Sequence, residues 1–302
     1  VFANAFGSGA AGAGSYDYRL TTDRTTSFSM LLDNQTNRNH SKLAVGCVVN
    51  TLVLSAENDG QVRFRAEGDC ARVIETTRAE MSGAASAGDT AILLVDSSGI
   101  MSNSILAVAS QAGEQLRVTD NNLTTNTITV DRGWGTTASA VISSGDFFLP
   151  WSPASQTLAS TNPVAGTKGS ITITNGVASN IVKSRSWEWT LNNNHEFIND
   201  SYGSERAECY VNSQKREILF SADYRLERDL IPLIIGVGKN FDQHDLAVVI
   251  GDTAGNKWTI DMDTAEGNQP DIDYPERDVA DLTMEWMAIS STDNAEAQLT
   301  QT

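Results

Sequence analysis

The chain reads as a mainly β protein, and three features of its 302 residues predict this. Apolar and polar residues alternate with a period of two through runs rich in Val, Ile, Thr, Trp and Phe. Clusters of Asn, Asp, Gly and Ser separate those runs, as tight turns require. Roughly Tyr224 to Ile235 reads as the only convincing helix. About ten strands against one helix predict a β-sandwich or barrel-forming domain with a small β-unit set into it.

In chain order, Val1 to Gly7 reads as the last turns of a helix closed by a glycine C-cap, which predicts a segment upstream of Val1. The glycine-rich continuation to Gly14 lacks the Lys of a phosphate loop and reads as a flexible connector. Ser27 to Leu32 is a predicted strand. Gly46 to Ser55 and Gln61 to Glu67 form a predicted hairpin across Glu57-Asn58-Asp59-Gly60, with Val62, Phe64 and Ala66 on one face and Arg63, Arg65 and Glu67 on the other.

From Ala79 the texture turns to Ala, Ser, Thr and Gly, with short strands at Ala91 to Val95, Glu114 to Thr119 and Thr127 to Val130. A connector containing Pro150, Pro153 and Pro163 then restores the first pattern. The predicted organisation is a first part over 1–78, an inserted β-module over 79–150 and a second part over 151–302. In the second part, Ile171 to Thr174 precede Asn175-Gly176, the strongest hairpin signal in the chain. Strands follow at Arg185 to Leu191, Lys215 to Ala222, Asp245 to Ile250, Lys257 to Met262 and Asp281 to Ile289.

The 38 Asp and Glu against 21 Lys and Arg give a formal charge of −17, which repels phosphate backbones and anionic headgroups and argues against nucleic-acid binding. From Asp261 onward a single base, Arg277, faces many carboxylates. Asp261 and Asp263 alternate on one strand and Asp281 and Glu285 on another, predicting a row of acid groups on one sheet face. That row is either a solvated exterior or a working electronegative surface. Three cysteines (Cys47, Cys70, Cys209) at wide spacings fit a reducing compartment better than a disulfide framework.

No apolar run reaches the roughly 20 residues that span a bilayer. His40, His195 and His244 sit in polar, loop-like surroundings with no metal-ligand spacing. The Asp261/Asp263 and Asp271/Asp273 pairs suit calcium or glycosidase chemistry in type, yet lack a calcium-loop pattern. With no catalytic set, metal site or cofactor motif, the sequence predicts a non-enzyme. Trp187, Trp189, Phe220, Trp258 and Trp286 are predicted core residues.

Several stretches in order resemble the major tail tube proteins of long-tailed bacteriophages: FANAFG followed by SFSMLL, Gly46 to Ser55, Trp187 to Asn194 through Ala207 to Val211 to Lys215 to Ala222, and the closing strand Leu282 to Ala288. Gly88-Asp89-Thr90, Glu114 to Val118, Thr129 to Gly133 and Gly135-Thr136-Thr137 look like a small β-unit inserted in many phage structural proteins. The resemblance implies a tail-tube fold that joins six-membered rings, four strands from each copy, with rings stacked head to tail into a tube. It implies assembly in the host bacterial cytoplasm, residence in the virion tail, other tail proteins at the tube ends, and DNA passing through the lumen without specific binding. About 24 strands spaced about 4.8 Å and tilted about 45° give a backbone diameter of roughly 50 Å. Asp261, Asp263, Asp281 and Glu285 are then the lumen or ring-contact candidates, and the inserted unit would sit outside. The alternative is a carbohydrate-binding or adhesive β-sandwich using exposed tryptophans and Asp pairs.

Overall fold

The computed structural model describes residues 7–12, 15–20, 27–33, 39–57, 60–110, 114–151, 164–175, 178–198, 202, 209–225, 243–253, 256–268, 271–273, 281–289 and 296–302. Its first strands are β1 (Gly7–Gly12), β2 (Ser15–Leu20), β3 (Phe28–Asp33), β4 (His40–Glu57) and β5 (Arg63–Thr77). Six short ones follow: β6 (Ala79–Glu80), β7 (Ala91–Leu93), β8 (Ile105–Val108), β9 (Gln115–Asn122), β10 (Thr127–Asp131) and β11 (Phe147–Pro150). The remainder are β12 (Gly169–Asn175), β13 (Ala178–Val182), β14 (Ser184–Asn192), β15 (His195–Ile198), β16 (Cys209–Asn212), β17 (Glu217–Arg225), β18 (Gln243–Ile250), β19 (Trp258–Gly267), β20 (Asp271–Asp273), β21 (Asp281–Ala288) and β22 (Gln298–Gln301).

The protein is mainly β, and no described helix reaches seven residues. Two expectations change at the N-terminal side. Gly7 opens a strand instead of closing a helix, and the glycine-rich stretch pairs with Ser15–Leu20 as a hairpin instead of hanging as a connector. Small residues permit this, because a strand needs only its main-chain bonds satisfied by a neighbour. The expected helix from Tyr224 begins too early: Tyr224 and Arg225 continue β17, paired with Leu282 and Asp281. The rest of that stretch lies outside the described residues, as do Val1 to Phe6.

The larger body is one antiparallel sheet folded into two facing layers. In the first layer β5, β4, β14, β17 and β21 are neighbours, and in the second β13, β12, β18, β19 and β22 are. Strand β19 joins them. Its ladder with β18 shifts between His244 and Leu246, and its last residues, Ala265 to Gly267, pair with β21. Alternation then builds the core: Leu54, Trp189, Phe220, Tyr224, Leu282, Met284 and Trp286 point inward from the first layer, and Ile171, Ile173, Leu246, Val248, Ile260, Met262 and Leu299 from the second. Phe220 lies 5.7 Å from Trp286 ring to ring, and Tyr224 meets Trp286 edge-on at 6.0 Å. Trp189 and Trp286 are fully buried, while Trp187 and Trp258 pack against the rim of the core.

Strands β6 to β11 form a separate six-stranded sheet in the order β6-β11-β8-β9-β10-β7, with its own apolar core around Leu106, Leu116, Ile128 and Phe148. Its ends meet. Met81 bridges Leu94, the Val95 N–H donates to Glu80 O at 2.9 Å and the Ser82 N–H to Leu93 O at 3.0 Å, so the sheet closes into a small barrel. A buried ion pair fastens the loops beside it: Arg132 Nε donates to Glu114 Oε1 at 2.7 Å and its Nη2 to Glu114 Oε2 at 3.0 Å. The same guanidinium donates to the Ser86 and Ala140 carbonyls, and the Ala140 N–H returns a bond to Glu114 Oε2. Every charge there is matched, which is the condition under which a buried pair is tolerated.

Two sequence expectations fail for a common reason. Cys47 and Cys70 form a disulfide, because the β4–β5 register sets them opposite each other despite 23 residues of separation. Linear spacing carries no register. The histidines likewise lie on strands and not in loops: His195 and His244 are buried, with His195 edge-on to Tyr210 at 5.3 Å.

Candidate functional site

The outward face of the first layer is where the sequence and the sheet together concentrate charge. Because inward positions on β4, β14, β17 and β21 are apolar, the alternate residues must face away from the core. Register lines them up across the strands. Ser55 faces Glu188, Glu188 faces Ser221, and Ser221 faces Glu285. The next row toward one end reads Glu57, Ser186, Asp223, Thr283. Here Asp223 accepts hydrogen bonds from Ser186 Oγ and, at 2.7 Å, from Thr283 Oγ1. Glu217 adds a carboxylate in β17, and Arg225 adds a base at the end of β17 opposite Asp281. A groove on the face is lined by Glu188, Thr190, Leu219, Glu266, Glu285 and Met287.

Hydroxyls and carboxylates in such rows present acceptors and negative charge without a concentrated donor set. The surface repels polyanions.

A second acidic feature lies on the outward face of the other layer. Carboxylate oxygens of Asp245, Asp261 and Asp263 all fall within 4.8 Å of one another. Ordinary alternation on β18 turns Asp245 outward between the buried His244 and Leu246, and the irregularity places the extra residue on β19, where Asp263 and Thr264 lie opposite Asp245. Asp261 is half-buried, and burial first, then the neighbouring Asp245 and Asp263 charges, push its carboxyl up to about 6. Burial and the Asp263 charge raise Asp245 as well. Three oxygens so close can share a proton or receive a hard cation, since either relieves the repulsion.

The four sequence candidates therefore do not form one row. Asp261 and Asp263 point away from the core on the second layer, and Glu285 points away from it on the first. Asp281 occupies the β21 position opposite Arg225 on the first layer's ladder. The cause is β19 itself, which leaves one layer and ends in the other, so proximity in sequence does not mean a shared face. Glu188, Asp223 and Asp245 were missed as candidates. The alternation of Arg185 to Leu191 already set Glu188 opposite the tryptophans, but its alignment with Glu285 needs the register through β17.

No protein-family model matches the chain, and no curated protein matches it. Among the described residues no helix is long and apolar enough to cross a membrane.

Proposed function

We propose that the chain is a non-catalytic structural subunit that assembles with copies of itself into stacked hexameric rings, forming a tube of the phage-tail type. The observation that carries this reading is the acidic outward face of β4, β14, β17 and β21: four adjacent strands, apolar on one side and lined with Glu57, Glu188, Glu217, Asp223 and Glu285 on the other. Four strands from each copy, set side by side, make a wall whose inner surface is this face. A DNA channel requires such a lining, because lysine and arginine rows would hold phosphates through counterion release whereas carboxylates keep the polymer mobile.

In this reading the small barrel of Ala79–Pro150 decorates the outside of the tube, and other tail proteins cap its ends. Negative-stain microscopy of the purified protein is the test. Rings or hollow tubes are expected, with DNA failing to bind at physiological salt. Folded single particles at every concentration would overturn the proposal. The carbohydrate-binding alternative keeps an exposed tryptophan in Trp134 on the small barrel, while Trp189 and Trp286 are core residues. Calcium-dependent retention on a glycan matrix would favour it.

A further inference from the structure

The acidic face is not uniform from edge to edge. Strand β5 extends the ladder beyond β4, and its register places Arg63 opposite Ser55 and Arg65 opposite Val53. One row across the sheet therefore runs Arg63, Ser55, Glu188, Ser221, Glu285. The adjacent row runs Arg65, Val53, Thr190, Leu219, Met287, Glu266. Each row begins with a base at the β5 side; the first reaches Glu285 on β21, and the second carries Glu266 on β19, beyond which the ladder continues to Gln243 of β18.

Arg63, Arg65 and Glu285 are exposed, and Glu266 is half-buried. Arg65 holds an exposed pair with Glu67 at 3.2 Å, the weak kind that exchanges readily. Strands about 4.8 Å apart separate Arg63 from Glu285 by about 19 Å across four spacings, beyond the Debye length of about 8 Å at physiological ionic strength. The two ends of a row are thus too distant to neutralise each other within one copy.

We propose that a second copy of this chain docks against the first side by side and in the same sense, its Glu266 and Glu285 side meeting the Arg63 and Arg65 side, so that arginine–carboxylate pairs form the seam. Charge complementarity selects this arrangement. A two-fold contact would set arginines against arginines or carboxylates against carboxylates, while a head-to-tail contact matches them and leaves an identical pair of unmatched edges for the next copy. Repetition closes a ring or continues a filament. The inference rests on the tube reading and names the contact within its ring.

The test is a charge swap in the full-length chain. R63E/R65E leaves both sides acidic, and E266K/E285K leaves both basic. Each variant alone is expected to need at least a tenfold higher concentration than the wild type to assemble, read by sedimentation velocity and negative-stain microscopy. Mixed in equal amounts the two should recover assembly, as should the fourfold variant in one chain. Circular dichroism checks that each variant is folded, and recovery on mixing makes the same point independently.

A wild type that forms tubes while both charge variants do so equally well overturns the seam and leaves the tube reading in place. A wild type that stops at a two-fold dimer overturns the head-to-tail contact. A wild type that stays monomeric and folded overturns both readings.

Discussion

In the small barrel the outermost strands, β6 and β7, are two and three residues long, and the chain beside each is tied to the other through the Met81–Leu94 bridge. In the larger body β5 runs for 15 residues, and Arg63 to Asp69 are exposed on both faces. The barrel also matches its buried charges, with Glu114 and Arg132 satisfied by each other and by loop main chain. Among the described residues both regions hold buried polar atoms without a hydrogen-bond partner, Arg117 Nε and Asn121 Oδ1 in the barrel and the Tyr224 hydroxyl and Trp286 Nε1 in the larger core, so the contrast lies in the strand edges. One region is finished by its own chain. The other presents a charged, extended strand that is exposed among the described residues, the kind of edge that can lead to association or, uncontrolled, to aggregation.

Breaking the barrel's ion pair should have the largest effect. Arg132→Ala strands Glu114 in the interior, and a loss of about 3–5 kcal/mol is expected, read by urea denaturation with hydrogen exchange on β9 and β10 localising the damage. An undisturbed barrel would show that the loops are held by something else.

Asp261→Asn tests the second-layer cluster. The Asp261 carboxyl is raised to about 6 in the fold, so the folded state favours its protonated form. Its stabilising contribution is therefore complete below about pH 4 and lost as pH rises through 6. Asn mimics the protonated form at every pH. The variant should exceed the wild type at pH 7.5 by about 1 kcal/mol, the roughly 3 kcal/mol implied by the shift being cut by screening at a half-exposed group. The difference should vanish near pH 4. Thermal melts at the two pH values decide it, and a gain independent of pH would refute the assignment.

Tyr224→Phe removes a buried, unpartnered hydroxyl whose ionisation is pushed upward by burial and by Asp223. It should cost nothing and add up to about 1 kcal/mol. Smallest of all is the effect of R63E/R65E on the unassembled chain, expected within about 0.5 kcal/mol, because those side chains face solvent there. A large loss would mean that the β5 side stabilises the monomer and does not serve as a seam.

Much of this fold was legible in residue order. The Gly46 to Ser55 hairpin, the short strands at Ala91, Glu114 and Thr127, and the tryptophan alternation on β14 all appear at their places in the structure. Each is a local pattern in which side-chain period and turn chemistry agree. The misses are non-local. The Gly7–Gly12 strand has almost no side-chain signal and exists because Ser15–Leu20 lies beside it. The Cys47–Cys70 bond and the Asp245, Asp261, Asp263 cluster depend on which residues register opposes.

The sequence by itself determined that the chain would be β-rich and acidic, with Trp189 and Trp286 inside and Glu188 facing out, since burial preference and period-two alternation are properties of consecutive residues. Only the tertiary structure decided which carboxylates share a surface. Strand β19 passes from one layer to the other, sending Asp261 and Asp263 to a different face from Glu285, and pairing across β5, β4, β14, β17 and β21 aligns Arg63 with Glu188 and Glu285. Hydrogen-bonded register between distant segments sets these alignments, and no stretch of the chain read alone contains it.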